Sequence, residues 1–112
     1  MSIGERTAIY CGYLRAEIEL SGEREAHIAE RHPDLLPEYR DRLLATLADP
    51  DQVRPSNRFA KARLFSRWYA DLNGGKHVVA IVVTCGNVDR HWVITAYIAR
   101  KLADGEIEWA RS

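Results

Sequence analysis

Residues 61–85 read KARLFSRWYADLNGGKHVVAIVVTC, and this stretch decides the fold. Two runs rich in β-branched and aromatic residues flank Asn73-Gly74-Gly75, a strong signal for a tight hairpin turn. The spacing predicts strands over roughly 61–72 and 76–85. Gly86-Asn87-Val88-Asp89 reads as a second turn, leading into a third strand over roughly 91–100. Consecutive hairpins of this kind make an antiparallel meander. A shorter strand is expected just upstream, at Gln52-Val53-Arg54.

Helical patterns precede this block. Ser21 offers an N-cap, Glu23 and Glu25 favour a first turn, and Pro33 disfavours a helical residue before it. A short helix is expected from about Glu23 to Arg31. A second is expected from near Pro37 to Ala48, with Tyr39, Leu43, Leu44 and Leu47 at helical spacing and Asp49-Pro50-Asp51 as its breaker. Thr7 to Leu20 reads as one strand or a short hairpin. The fold class expected is α+β: N-terminal helices packed on an antiparallel sheet of about four strands, in a single domain over 1–112.

Sixteen basic residues balance sixteen acidic ones, so net charge gives no support to nucleic-acid binding and only local clustering can. Cys11 and Cys85 stand far apart in apolar stretches, without a Cys-x-x-Cys pair, and read as two buried, reduced thiols of a cytosolic protein. The start, Met1 to Arg6, lacks the long apolar stretch of a signal peptide, and no run approaches the length of a membrane span. The expectation is a cytoplasmic protein with no membrane partner, or a piece cut from a larger chain. No Walker loop, dinucleotide fingerprint or nucleophile elbow is present.

Side chains alternate between the faces of a strand. In the last long strand Trp92, Ile94, Ala96 and Ile98 form the set expected beneath the helices, with His91, Val93, Thr95, Tyr97 and Ala99 opposite. In the first, Ala62, Leu64, Ser66, Trp68, Ala70 and Leu72 form the expected core set, opposite Lys61, Arg63, Phe65, Arg67, Tyr69 and Asp71. Cations and rings interleaved on one open face suit RNA, where phosphates meet charge and bases stack. The middle strand is apolar on both faces and therefore central.

His27-Ile28-Ala29-Glu30-Arg31-His32-Pro33 places two imidazoles and a guanidinium within about one and a half helical turns. Imidazoles move protons near neutral pH, and guanidinium grips phosphate. His27 and Arg31 share one stripe, Ile28 and His32 the next. With Ile28 in the core, His32 belongs at the core edge or at the helix C-terminus. The two histidines lack a His-Glu-x-x-His pattern and a nearby cysteine, which argues against zinc. Together with the hydroxyls of Thr95 and Tyr97, these residues predict metal-independent phosphodiester chemistry on RNA, with no cofactor.

Taken in order, His27 to Pro33, Pro50 to Val53, and Ile94-Thr95-Ala96-Tyr97 through Lys101, Gly105 and Trp109 resemble the barnase–EndoU–colicin–RelE-like (BECR) nuclease superfamily, especially its phage-associated branch. The resemblance covers roughly residues 20–110. It implies a RelE- or barnase-like sheet under N-terminal helices and a metal-independent endoribonuclease, often a toxin held by an antitoxin or immunity protein. Carried over, it makes His27 the leading acid or base, with Arg31 and His32 beside it. Thr95 and Tyr97 become the strand-borne catalytic pair and Lys101 a phosphate contact, joined on the expected open face by Arg63, Arg67 and Tyr69 as substrate-binding residues. The general acid is His32 or Tyr97. The alternative function is a non-catalytic RNA- or protein-binding module on the same fold.

Overall fold

The chain opens with a hairpin, β1 (Arg6–Cys11) and β2 (Ala16–Ser21), before any helix forms. Two short helices follow, α1 (Gly22–Arg31) and α2 (Arg40–Ala48), and then β3 (Gln52–Pro55), β4 (Ala62–Tyr69), β5 (Lys76–Cys85), β6 (Arg90–Ala99) and β7 (Trp109–Ala110). The computed structural model describes residues 6–86, 90–102 and 105–111. Most of the expected second turn, at 87–89, lies outside them.

Among the described residues, all seven strands join one sheet in the order β1-β2-β6-β5-β4-β3-β7. The expected four-stranded antiparallel sheet under N-terminal helices, RelE- or barnase-like, is overturned. The protein is a mostly-sheet α+β structure with a mixed sheet. Two pairings beyond the expected four strands cause the difference, one at each side of the sheet. The β1–β2 hairpin joins the meander through a parallel contact, with Ile18 opposite His91 and Glu19 opposite Trp92. At the other side β3 pairs with β4, and the two-residue β7 then pairs with β3. Neither the parallel contact nor β7 has a local sequence signature, since both are made by residues distant along the chain.

Local chemistry accounts for the helix ends. Ser21 Oγ accepts a hydrogen bond from the Arg24 N–H at 3.0 Å, and Glu23 and Glu25 occupy the first turn of α1, where the helix dipole favours negative charge. The helix stops at His32, whose N–H still donates to the Ile28 carbonyl at 2.7 Å before Pro33 breaks the pattern. The second helix starts later than Pro37, because residues 33–39 form successive turns. Its first residue is tied down by side chains: Arg40 Nε donates to Glu25 Oε1 at 2.6 Å and Nη2 to Thr7 Oγ1 at 2.8 Å.

Both helices cover one face of the sheet, α1 against β6 and β2, α2 against β5, β4 and β1. Ile28, Leu43 and Leu47 meet Ile18, Leu20, Phe65, Val78, Ala80, Val82, Val93 and Ala96 in the buried core, which contains Cys11. Cys85 is half-buried, and both thiols are free. The central strand is β5, and its two faces differ: Val78, Ala80 and Val82 belong to the helix-side core, whereas Val79 and Ile81 are buried on the opposite face.

The face assignments expected from alternation need two corrections. In β4, Phe65 lies opposite Ala80 and is buried under the helices. Leu64, Ser66 and Trp68 therefore point to the open face, and Arg63, Arg67 and Tyr69 to the helix side. In β6 the register shifts at Ile81/Val82: Ile81 faces Thr95 but Val82 faces Val93, leaving Ile94 as the extra residue of a bulge. One added residue flips everything beyond it. His91 and Val93 turn toward the helices, while Thr95 and Tyr97 share the open face with Trp92, which pairs with Val83.

Candidate functional site

The open face of the sheet carries a pocket of about 500 Å³. Its floor is the open-face set of three adjacent strands: Leu64 and Ser66 from β4, Val79 and Ile81 from β5, Thr95, Tyr97 and Ala99 from β6. Its walls are the end of β3 with the loop that follows, from Arg54 to Phe59, and the residues Lys101, Leu102 and Gly105. The loop is shaped by Ser56, whose Oγ accepts from the N–H groups of Arg58 and Phe59, both at 3.1 Å. Lys61, with φ 62°, turns the chain back into β4.

The pocket is apolar at its base and cationic at its rim. Arg54, Arg58 and Lys101 stand around it, and no lining residue among those described is acidic. Arg54 Nε donates to Gln52 Oε1 at 3.0 Å, and the Arg58 guanidinium lies 5.8 Å from the Phe59 ring centre. Burial pushes the Tyr97 phenol above its ordinary pKa, against the opposing pull of the Arg58 charge. Near neutral pH Tyr97 is thus a protonated hydrogen-bond donor at the pocket floor.

The residues expected to act together are only partly brought together. Thr95, Tyr97 and Lys101 line the pocket. His32 reaches the ring of Tyr97, with centroids 6.1 Å apart. It does so although α1 packs on the other face, because β2 ends at Ser21 and leaves the later half of β6 as an open edge. His27 and Arg31 are exposed on α1, and neither they nor His32 belong to the pocket lining, which His32 approaches only through the Tyr97 ring.

Arg63, Arg67 and Tyr69 lie on the opposite face from Thr95 and Tyr97, so the shared substrate-binding face expected for them does not form. Each is engaged elsewhere. Arg63 Nε donates to Glu108 Oε2 at 2.9 Å and its Nη1 to Thr84 Oγ1 at 3.1 Å. Arg67 Nη1 donates to the Asp49 carbonyl at 3.1 Å. Tyr69 donates to the Arg42 carbonyl at 2.9 Å, and burial raises its phenol pKa.

The Arg63 contact belongs to a chain of polar groups on the helix side. The Tyr13 hydroxyl donates to Glu108, and Thr84 Oγ1 lies 2.8 Å from His91 Nδ1. Burial, reinforced by the hydrogen bond to Glu108 and its negative charge, raises the Tyr13 phenol to about 12. This network ties the β1–β2 turn to the segment before β7.

Sequence reasoning missed Arg54, Arg58, Phe59 and Ser66 as pocket residues. Alternation expects Ser66 on the helix side, and the inverted face of β4 brings it to the pocket instead. Arg54 belongs to the expected strand at Gln52-Val53-Arg54, where no local signal marks it as a pocket residue, whereas Arg58 and Phe59 follow Pro55 in a segment with no periodicity and only their cation-aromatic pairing hints at them. Among the described residues, no helix is long and apolar enough to cross a membrane. Compared with protein-family models, curated proteins and solved structures, the chain matches none of them.

Proposed function

We propose that this protein binds single-stranded RNA with one nucleotide seated in the open-face pocket, and that it cleaves the chain there as an endoribonuclease. The observation that carries the reading is the convergence of Arg54, Arg58 and Lys101 with Thr95 and Tyr97 around an apolar floor. A nucleotide has the complementary pattern, an apolar ring with polar edges joined to a phosphate. The resemblance to BECR nucleases implies the same substrate class.

In this reading the ribose 2′-oxygen attacks the adjacent phosphorus as the bond from phosphorus to the departing 5′-oxygen breaks. A base takes the 2′ proton, and an acid returns one to the leaving oxygen. Cationic groups hold the non-bridging oxygens as charge grows. His32 replaces His27 as the leading imidazole, because it is the histidine beside Tyr97. The protonated phenol of Tyr97 suits the donor role rather than the base. Thr95 orients the phosphate. The products are a 2′,3′-cyclic phosphate and a 5′-hydroxyl.

The test is incubation of purified protein with short RNA in excess chelator, with product ends identified. His32→Ala is expected to lower turnover about a hundredfold, the usual scale for a positioned acid or base, and His27→Ala to leave it nearly unchanged. A 2′-deoxyribose at the scissile position should abolish cleavage. Equal cleavage of the deoxy-substituted substrate would overturn the mechanism. The position of His27 outside the pocket favours one second reading, a non-catalytic RNA-binding module, for which binding without cleavage is the signature.

A further inference from the structure

The open face does not end at the pocket. Beyond Ser66 the next open-face residue of β4 is Trp68, paired with His77, which pairs in turn with Ala99 of the pocket floor. Trp68 is 46% exposed, a large apolar ring facing solvent where the same face elsewhere buries Val79 and Ile81. The ring is also held in place. His77 meets it edge-on at 4.9 Å between centroids, and a Cβ added to Gly75 would come within 2.6 Å of its Cζ2. Only a residue without a side chain lets the β4–β5 turn approach the indole so closely, and Gly75 has the positive φ that the turn requires. The backbone beneath is fixed too, since the Trp68 N–H donates to Asp51 Oδ2 at 2.8 Å. The Asp51 charge is itself paired with Arg111, at 3.4 Å.

We propose that Trp68, buttressed by His77 and Gly75, is a stacking platform for the base of the nucleotide adjoining the one in the pocket. The proposal rests on the RNA reading above and extends it to a ligand of at least two nucleotides. Charge and continuity select this occupant: the cationic rim of the pocket fits a phosphodiester chain, and the platform adjoins the pocket floor on the same sheet face. Two residues along a strand span about 7 Å. That is twice the rise of about 3.4 Å per stacked nucleotide, so the bases must unstack from each other to reach both subsites. An aromatic platform then replaces the lost stacking whatever the base, because every base has a π-face.

The experiment uses a nucleoside 3′-monophosphate and a 2′-O-methylated tetranucleotide, which has no free 2′-hydroxyl to attack with. Each is titrated calorimetrically against the wild type, Trp68→Ala and Trp68→Phe. The mononucleotide should bind all three alike. The tetranucleotide should bind Trp68→Ala about ten- to a hundredfold more weakly than the wild type, and Trp68→Phe should recover most of the loss. Wild-type affinity of Trp68→Ala for the tetranucleotide overturns the platform alone, as does an equal loss for both ligands. A wild type that binds neither ligand overturns the RNA reading, and the platform with it.

Discussion

Replacing Phe65 and Trp68 separately by alanine tests which face of β4 is the core. Phe65 is fully buried and packs with Val78, Ala80 and Val82 under α2, so Phe65→Ala leaves a cavity that the surrounding strands cannot close. Such truncations cost about 3 to 5 kcal/mol. Trp68, although larger, is 46% exposed. Water fills the space it leaves, and only its edge contact with His77 and its approach to Gly75 are lost, so Trp68→Ala should cost about 1 kcal/mol. Domains of this size are stable by about 5 to 15 kcal/mol in total. Phe65→Ala should therefore lower Tm by about 15 to 30 °C and Trp68→Ala by less than about 8 °C. Thermal and urea unfolding followed by circular dichroism read both. A Trp68→Ala variant as damaged as Phe65→Ala, or a Phe65→Ala variant that melts like the wild type, would refute the face assignment and the pocket built on it.

Ser21→Ala should destabilise the protein by about 1 kcal/mol through loss of the α1 cap, measured as a shift in the urea midpoint; no shift would mean that the Arg24 N–H finds an equal partner. Tyr13 holds its proton in the folded state up to about pH 12, whereas an ordinary phenol loses it near 10. Its contribution is fully present below about pH 10 and is lost as pH rises from 10 toward 12, because the folded state then binds more protons than the unfolded one. Unfolding of the wild type should accordingly be more alkali-sensitive than that of Tyr13→Phe, and equal sensitivity would argue against the Tyr13–Glu108 bond. Arg58→Ala and Lys101→Ala should each weaken RNA binding and reduce the slope of log affinity against log salt by about 0.7. An unchanged slope would remove that residue from phosphate contact.

Several elements of this protein are legible from the sequence alone. The Asn73-Gly74-Gly75 turn, the β5 run apolar on both sides, the Ser21 cap and the Pro33 stop are consequences of local stereochemistry, and each produces its element where the local rule puts it. The open-face placement of Thr95 and Tyr97 follows from alternation as well. Alternation has only two answers, however, and in β4 both sets carry an aromatic residue, Phe65 in one and Trp68 in the other. Which ring is buried was decided by pairing with β5 and by the side on which the helices dock. The bulge at Ile94 reversed the earlier half of β6 by one residue, bringing Trp92 to the face of Thr95. The parallel seam between β2 and β6 and the short β7 turned the expected four strands into seven. His32 meets Tyr97 only because β2 ends where it does, and Arg54, Arg58 and Lys101 line one pocket only because the end of β3, the turn after it and the residues after β6 border the same three strands. Local pattern writes itself within a few residues, whereas a pocket is made by groups that the chain separates and the sheet reunites.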